Sequence, residues 1–481
     1  GANRLGLSGP ALLPGNLKRL KPAAARTTII DGLPATQMPA FGEILAPADI
    51  DALVDFIYRP PPVAPHWRAQ DIVASHIHTP NAAAAPGLPD GTDPLNLFVV
   101  VESGDHHVSI LDGDRLAPIH RFKSRHALHG GPKFSPDGRF VYFGSRDGWI
   151  SKYDLYTLEL VVEIRAGINT RNIAISGDGR VVAVANYLPN TLVMLDADLN
   201  LLQVKDVLGE IDKAPSRVSA VYQAAPRESF VVALKDIPEM WEVAYAEDAP
   251  PVLSDFVHSH EKGMVEGLAA DDGAFPTRRV PLTAPLDDFF FDPTYRLVMG
   301  SARGAGKAVV VHLDVRREIA EIAMPGLPHL GSGISWMRNG ARVMATPHLG
   351  QGRISVIDMA DWSEIAAIDT LGPGFFMRSH ENTPYAWADV FFGPNKDAIH
   401  VIDKQSLEIV RTLRPEPGKT AAHIEFTRDG SHALVSLWEH DGAIIVYDAE
   451  TLEEVTRIPF VKPSGKYNVY NKITLSEGTS H

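Results

Sequence analysis

The sequence predicts an all-β propeller of eight blades behind a small α-helical segment. Three observations indicate this fold: a strand pattern repeated at nearly constant spacing, a turn signal inside several repeats, and a proline-rich stretch ahead of the first repeat. The interval of 118 residues in the repeat has room for one or two degenerate units, so we favour eight blades and accept seven. An apolar strand closing on aspartate recurs at intervals of 42, 42, 118, 44, 45 and 45 residues, at Asp112, Asp154, Asp196, Asp314, Asp358, Asp403 and Asp448.

A second turn signal precedes these strands in several repeats. Asp-Gly and Asn-Gly pairs favour tight hairpin turns because both residue types tolerate a positive φ. A tandem of β-sandwiches is the alternative, but it would not hold so constant a period. The strand-closing aspartates are interpreted as turn formers and not as acid or base groups. The turn signals are Ser-Pro-Asp-Gly at 135–138, Ser-Gly-Asp-Gly at 176–179, Arg-Asn-Gly at 338–340 and Thr-Arg-Asp-Gly at 427–430.

The N-terminal part of the chain lacks this strand repeat, and its residue pattern predicts short helices and loops. Apolar residues between 49 and 58 recur at the spacing of an amphipathic helix, and aspartates occupy its first turn. Four prolines then fall within six residues, which is typical of a semi-rigid extended linker. The expected parts are a helical domain over residues 1–59, a linker over 60–65 and a propeller over 66–481.

The composition excludes several classes of function. Hydrophobic residues make up 45% of the chain and charged residues 22%, so disorder as the main state is excluded. The net charge of -14 argues against duplex nucleic acid and anionic bilayers as partners. No run of eighteen apolar residues occurs, so we expect no membrane span. There is no cysteine, which excludes disulfides and thiolate chemistry and leaves metal chemistry to the 19 histidines.

Histidines in the predicted blade loops are the candidate functional residues. Loops at one end of a propeller channel converge, so distant residues can surround one ligand. A single loop histidine is more often structural, but several at similar blade positions favour a site. Catalytic serine elbows, phosphate loops and zinc-protease motifs do not occur, so histidines acting on a bound prosthetic group are favoured. The candidates are His126, His129, His329, His348, His380 and His423.

The N-terminal segment resembles a class I cytochrome c domain. The resemblance is carried by residues 5–12, by Gln-Met-Pro-Ala-Phe-Gly at 37–42 and by the helix predicted at 49–58. It implies that Met38 is the sixth ligand of a haem c iron, and that the haem-attaching Cys-x-x-Cys-His segment lies just before Gly1 of a processed or cut chain. Covalent haem c cannot form on these 481 residues alone, and a degenerate, haem-free domain is the alternative.

The remaining residues, from about 70 onward, resemble the eight-bladed propeller of the cytochrome cd1 nitrite reductase family. The departures from the reductase pattern are Glu-Ser-Gly-Asp at 102–105, Ala-Leu-His-Gly-Gly-Pro at 127–132, and His423. They favour the dihydro-haem d1 dehydrogenase branch of the family, with the reductase and a non-catalytic haem d1-binding or delivery protein as alternatives. The matching segments are 125–129, 145–148, 345–350, 378–380 and, most specifically, Pro-Ser-Gly-Lys-Tyr-Asn-Val-Tyr-Asn at 463–471.

This resemblance implies an oxidoreductase of haem d1 biosynthesis. Such an enzyme converts a propionate side chain of dihydro-haem d1 to an acrylate and passes electrons to haem c. The expected surroundings are the periplasm, with transient contacts to nitrite reductase and to an electron acceptor. Removal of protons from adjacent carbons requires a positioned base.

The same resemblance implies roles for eight residues of the propeller. His129 matches the position of the ligand of the d1 iron, and Arg146 and Arg171 are expected to pair with ring carboxylates. The opposite face is expected to hold a distal ligand, a base and an orienting donor, in a distribution the sequence does not resolve. The candidates for that face are His329, His423 and Tyr467, with His348 and His380, which match the distal pair of the reductase, as competing cofactor-binding residues.

Overall fold

Each repeat of the sequence folds as one antiparallel sheet of four strands. The computed structural model describes residues 3–6, 11–17, 20–32, 38–63, 65–79, 87–253, 269–271, 273–301, 304–475 and 477–479. Within these ranges there are eight four-stranded units, which confirms the predicted eight-bladed propeller.

The strands of the first half of the chain form blades 2, 3 and 4 and most of blade 1. They are β1 Ile77–His78, β2 Leu97–Glu102, β3 His107–Asp112, β4 Ala117–Lys123, β5 Lys133–Phe134, β6 Phe140–Gly144, β7 Trp149–Asp154, β8 Glu159–Arg165, β9 Asn169–Ile175, β10 Val181–Leu188, β11 Thr191–Asp196, β12 Leu201–Asp206, β13 Val218–Ala224, β14 Ser229–Leu234, β15 Glu239–Ala244, β16 Val252–Leu253, β17 Ala269–Asp271 and β18 Thr277–Pro281.

The second half of the chain forms blades 5 to 8 and the strand that completes blade 1. These strands are β19 Asp288–Phe291, β20 Leu297–Ser301, β21 Lys307–His312, β22 Arg317–Ala323, β23 Ile334–Arg338, β24 Ala341–Pro347, β25 Arg353–Asp358, β26 Glu364–Asp369, β27 Met377–Ser379, β28 Tyr385–Asp389, β29 Ile399–Asp403, β30 Ile409–Leu413, β31 Ala421–Phe426, β32 His432–Leu437, β33 Ala443–Asp448, β34 Glu454–Pro459 and β35 Pro463–Asn468.

The ring is closed by the last strand of the chain. β35 pairs with β2, so blade 1 runs β35, β2, β3, β4 from the channel outward. Blade 2 consists of β5 to β8 and gains β1 on its outer edge, blade 3 of β9 to β12, blade 4 of β13 to β15 with β18, and blades 5 to 8 of four consecutive strands each. Pairing the two chain ends leaves no blade incomplete within the ring.

The long interval in the repeat contains one blade. Blade 4 lies between Asp196 and Asp314, and its third strand, β15, ends on Ala244 instead of aspartate. An insertion between β15 and β18, which includes the small β16–β17 hairpin, lengthens this repeat. The loss of one aspartate signal and this insertion explain why the sequence left the number of blades open.

Most of the strand-closing aspartates form turns, as interpreted from the sequence. Asp112 Oδ1 accepts the backbone N–H groups of Asp114 and Arg115, each at 2.9 Å, which is an Asx turn. Asp314 differs, because its carboxylate pairs with Arg227 and Arg296. The carboxylates that accept backbone N–H bonds in the same way are those of Asp154, Asp196, Asp358, Asp403 and Asp448.

The core consists of apolar layers between neighbouring blades. Side chains alternate across a strand, so one strand serves two layers. In β10, Val182 and Val184 pack with the cluster shared with blade 2, whereas Ala183 and Ala185 pack toward Phe230 of blade 4. Each blade is therefore buried on both faces, which explains its nearly continuous apolar inner strands.

Four α-helices lie outside the blades within the described part of the chain. The predicted amphipathic helix is observed, with Ile50, Val54 and Ile57 buried. Among the described residues no helix is long and apolar enough to cross a membrane. The helices are α1 Pro22–Asp31, α2 Pro47–Tyr58, α3 Ala69–Ala74 and α4 Val469–Thr474, and short 3-10 turns occur at Pro94–Asn96, Ala225–Arg227 and Leu330–Ser332.

The N-terminal segment packs on itself and also contacts the propeller. Leu17, Ala25 and Ile57 form a small core of their own. Ala11 and Leu13 pack against Ile168, which precedes blade 3. Arg165 of β8 also donates to the backbone carbonyl of Leu5 at 2.6 Å, and all blades and α3 lie beyond residue 65.

We expect a chain of residues 66–481 to fold alone, because every blade strand is retained. Exposing Ile168 and its neighbours should lower the free energy of unfolding by about 1 to 3 kcal/mol. Thermal and urea unfolding of this chain and the full chain measure the difference. An insoluble chain, or one that melts without a cooperative transition, contradicts the proposed boundary.

Candidate functional site

One cavity at the mouth of the propeller channel brings together residues from all eight blades. Its wall consists mainly of innermost strands and the loops directly ahead of them, with further residues from β2, β6 and α4. Five of the predicted site residues line it: His129, Arg171, His329, His423 and Tyr467. Residues separated by more than 300 positions in the chain therefore face one space.

His129 lies in the loop that leads into β5, where its backbone N–H donates to Gly144. Its Nδ1 lies 2.8 Å from the backbone carbonyl of Arg171, and since a carbonyl only accepts, Nδ1 carries the hydrogen. The Nε2 lone pair accepts a hydrogen bond from the Arg146 guanidinium at 2.8 Å. The ring therefore offers the nitrogen that haem iron binds, and Arg146, which is outside the cavity wall, contacts it directly.

Two glycines after His129 permit a close approach between blades. Gly130 and Gly131 have φ of +81° and +69°, a backbone region that favours glycine. A Cβ on Gly130 would lie 2.7 Å from the Cβ of Asn172, and one on Gly131 would lie 3.1 Å from the Tyr467 ring. The Gly-Gly pair therefore lets the His129 loop contact both blade 3 and the closing strand.

His329 lies ahead of blade 6 and is held as a neutral imidazole. Its Nδ1 donates to the backbone carbonyl of Phe375 at 2.7 Å, which leaves the lone pair on Nε2. Burial lowers the pKa of His329, while the charge of Asp288 acts in the opposite direction. The ring also packs against Phe375, with 4.3 Å between centroids. A fixed tautomer and a neutral ring suit either metal ligation or proton acceptance.

His423 is the extra residue of a β-bulge in β31 and has φ of +50°. Burial lowers its pKa well below the ordinary value, and the nearby Lys466 cation acts in the same direction. Its buried Nδ1 has no hydrogen-bond partner among the residues that the structure describes. An orphaned, buried nitrogen at a cavity wall fits a ligand that supplies the missing contact.

Tyr467 of the closing strand faces His423, with 5.0 Å between ring centroids. Burial raises the pKa of Tyr467 to about 12, so its phenol keeps its proton and can donate a hydrogen bond. Tyr467 also approaches the His129 loop, because its ring lies next to Gly131. A protonated donor and a neutral histidine therefore share one part of the wall.

His348 and His380, which the sequence analysis named as competing cofactor-binding residues, do not line the cavity. The Nδ1 of His348 donates to the Pro325 carbonyl at 2.6 Å, and its Nε2 contacts the Ser355 hydroxyl at 2.9 Å. His380 follows β27 at the end away from the cavity, where a Cβ on Gly430 would lie 2.3 Å from its ring. Both imidazoles are buried parts of the blade packing.

Three cations of the wall were not predicted: Lys133, Arg378 and Lys472. Burial lowers the pKa of Lys133 to about 8, with the charge of Arg378 as a second cause. Burial and Arg378 also lower the pKa of Lys472 well below its ordinary value. Of these three cations, Arg378 forms an ion pair with the carboxylate of Glu425 at 3.2 Å. Buried like charges favour an anionic ligand with more than one carboxylate.

Aromatic rings form another part of the wall. Phe375 and Phe376 lie 4.6 Å apart, and Phe376 lies 4.6 Å from the His423 ring. Trp438 extends this surface, 6.3 Å from Phe376. Planar apolar surfaces next to buried cations suit a flat ligand with acidic substituents. The Phe-Phe pair ends two residues before Arg378, and the segment 378–380 carries part of the family resemblance. The sequence therefore contained a signal for this part of the wall.

Met38 lies in the N-terminal segment, is half-buried and does not contribute to the cavity. Its role as a haem c ligand stays a prediction. Residues 33–37, and with them Gln37 of the quoted motif, lie outside the described residues.

The fold and the site define a class of protein, a β-propeller whose cavity suits a flat ligand with acidic substituents. Comparison with known proteins is consistent with this class, since residues 92–472 match the family described as "Cytochrome D1 heme domain". The chain belongs to this family.

Individual relatives differ widely in similarity. The chain is 56% identical to "Dihydro-heme d1 dehydrogenase" of Pseudomonas aeruginosa, over 100% of this chain and 93% of the relative. Identity to "Nitrite reductase" of Stutzerimonas stutzeri is 24%, over 90% of this chain and 81% of the relative. "Protein NirF" of Pseudomonas aeruginosa is 29% identical, over 77% of this chain and 90% of the relative.

A solved structure extends the likeness to the whole fold. "Dihydro-heme d1 dehydrogenase NirN in complex with DHE" is 55% identical, with a TM-score of 0.89 that covers 98% of this chain and 97% of that chain.

Replacing His129 by Ala should abolish the absorption signature of iron–histidine ligation when d1-type haem is bound. The reason is that Nε2 is the ring nitrogen directed away from the Arg171 carbonyl. Absorption and electron paramagnetic resonance spectra of the loaded variant test this. His432→Ala, at the opposite end of blade 8, serves as the control. Unchanged spectra in His129→Ala would remove this residue from the site.

Affinity for d1-type haem should fall as pH rises above about 8, because Lys133 loses its proton there and with it the attraction for carboxylates. One titrating group accounts for at most about a tenfold loss per pH unit. Titrations between pH 7 and 9.5 measure this, and Lys133→Met should show weaker binding at pH 7 with a shallower pH dependence. Equal pH profiles in both proteins would contradict the assignment.

Proposed function

We propose that this protein is a dihydro-haem d1 dehydrogenase that converts a propionate side chain of its tetrapyrrole substrate to an acrylate. The observation that carries the proposal is the cavity itself, where two neutral histidines and a protonated tyrosine face a space lined by buried cations. Full-length identity of 56% to a protein of that name supports it, against 24% for a nitrite reductase.

The substrate is held from several sides. His129 Nε2, which Arg146 contacts at 2.8 Å and Arg171 at 3.3 Å, would hold the iron of the tetrapyrrole, and these guanidinium groups would then be available to ring carboxylates. Arg171 and Lys133 supply further cations at the wall. Together these groups fix the depth and rotation of the macrocycle in the channel.

The reaction breaks two C–H bonds of the –CH2–CH2– unit and forms one C=C bond. Two protons and two electrons leave the side chain, and the carboxylate is retained. We assign the base to His423 and the orienting donor to Tyr467, because their rings lie 5.0 Å apart on one part of the wall. His329, whose lone pair is on Nε2, would accept the second proton or hold the iron.

The two electrons need an acceptor, and we infer that a haem c with Met38 as a ligand would supply this one-electron redox chemistry when bound. Its thioether cysteines are not among these 481 residues, so the proposal concerns a chain that includes them. We further infer a periplasmic location, an external electron acceptor, and delivery of the finished haem d1 to nitrite reductase. These inferences rest on the family resemblance of the N-terminal segment.

Conversion of the propionate form of the tetrapyrrole is the direct test. Incubation with a one-electron acceptor should yield a product lighter by two hydrogen atoms, detected by mass spectrometry. A carrier protein would return the tetrapyrrole unchanged, and a nitrite reductase would form nitric oxide from nitrite and a reductant. Either result without the mass change would overturn the proposal.

His423→Ala should bind the tetrapyrrole and lose roughly two to four orders of magnitude in turnover, the usual contribution of a positioned general base. Tyr467→Phe keeps the ring and removes one donor, so its rate should fall with little change in affinity. Affinity and single-turnover rate are measured in both variants, with His432→Ala as the matched histidine control in the same blade.

If both variants retain the full rate, the chemistry lies elsewhere in the cavity, with His329 as the next residue to test. If affinity falls in step with rate, the two residues are ligands and not catalysts.

A further inference from the structure

A single carboxylate lies behind the part of the wall that carries both candidate histidines. Asp389 is the last residue of β28 and is 1% exposed. Its Oδ1 accepts backbone N–H bonds from Phe375 at 2.7 Å and Phe376 at 3.0 Å, and its Oδ2 accepts the backbone N–H of His423 at 3.3 Å. The carboxylate therefore connects the loop ahead of blade 7 to the innermost strand of blade 8.

His329 is reached from Asp389 through one peptide group. The N–H of Phe376 donates to Asp389 at 3.0 Å, and the carbonyl of Phe375, which belongs to the same peptide group, accepts the Nδ1–H of His329 at 2.7 Å. That carbonyl selects the tautomer of His329 and directs its Nε2 lone pair. A shift of the Phe375 backbone would therefore change the position of the imidazole and the hydrogen bond that fixes its tautomer.

His423 is held by its backbone on both sides. Asp389 accepts its N–H, and the buried ammonium of Lys466 donates to its carbonyl and to the Ser436 hydroxyl. The left-handed φ of +50° is disfavoured for a residue with a Cβ, so these two bonds stabilise a conformation that β31 alone would not keep. The bulge places the imidazole between Phe376 and Tyr467.

We propose that Asp389 is a positioning residue for the dehydrogenation, setting His329 and His423 relative to each other from behind the cavity wall. The inference rests on the proposed function of these histidines. Asp389 does not line the cavity, so it acts through the backbone of its neighbours and not on the substrate. One carboxylate serves two elements of different blades, which is the kind of support that second-layer residues give to reacting groups.

The charge state of Asp389 is part of this role. Burial raises its pKa to about 7, while the three backbone N–H donors and Lys466 act in the opposite direction. The titratable groups that face it are Lys466 on β35 and His423 on β31. The ionised form accepts all three N–H bonds, and protonation removes acceptor capacity, so the arrangement should loosen as pH falls through about 7.

Asp389→Asn keeps the shape of the side chain and replaces one acceptor oxygen by an NH2 donor, which cannot bond to a backbone N–H. We expect a tenfold to hundredfold lower single-turnover rate on the propionate tetrapyrrole, with affinity within about threefold of the parent protein. The parent rate should fall as pH drops below about 7, and the variant should lack that limb. Asp397→Asn is the matched control, because Asp397 also accepts a backbone N–H and pairs with an arginine but lies outside the cavity wall.

A measurement on the unaltered protein covers the case in which Asp389→Asn does not fold. With 15N-labelled histidine and no ligand, the ring nitrogens of His329 and His423 should shift together with one midpoint near pH 7. Independent or absent shifts overturn the proposal, as does a variant that keeps the parent rate and pH profile. If the parent protein itself converts no tetrapyrrole, the proposed function fails, whereas the joint shift of the two imidazoles still tests the coupling through Asp389.

Discussion

Closure of the ring by β35 is the constraint on which the site depends. The strand pairs Phe98–Glu102 of β2 with Pro463–Asn468, joining segments separated by more than 350 residues. This pairing has a high entropic cost of loop closure, which is offset by eight blades packed face to face. The same strand supplies Lys466 and Tyr467, and the helix behind it supplies Lys472. Completing the fold and completing the cavity are therefore one event.

The cavity wall carries several cations, although the chain as a whole is anionic. The chain carries a net charge of -14, yet Lys133, Arg378 and Lys472 lie together in the wall with Glu425 as a buried counter-ion. Burial lowers the pKa of both lysines, which means that the charged state is destabilised there. A ligand with several carboxylates removes this penalty, so binding energy is available from groups that are strained without it. Propeller architecture allows this, because rigid strands hold the cations in place at a cost in stability.

The fold could be predicted from the sequence because each blade repeats the same local pattern of apolar strands and turn residues. Strand patterns and turn residues were sufficient for seven blades, and only blade 4, with Ala244 in place of the aspartate, was hidden. His129 and His423, which the sequence analysis named as candidates, line the cavity. His348 and His380 do not line the cavity, since a motif gives sequence position but not direction: His380 lies only two residues beyond Arg378, yet outside the cavity wall. Lys133 and Asp389 carry no local signal, since their importance arises from groups of other blades.

Burial lowers the pKa of the histidines at this site, and the buried backbone groups around them fix their positions. A histidine exposed to water near neutral pH exchanges between charge states and tautomers, whereas His329 has one tautomer because a carbonyl accepts its Nδ1–H and one charge state because burial lowers its pKa. His423 obtains the same neutrality in a bulge whose backbone is held by Asp389 and Lys466. Both residues thus depend on polar groups that never face the ligand. The geometry of the reacting surface is consequently a property of the packing between blades 6, 7 and 8, and substitutions behind the wall should alter it as strongly as substitutions within it.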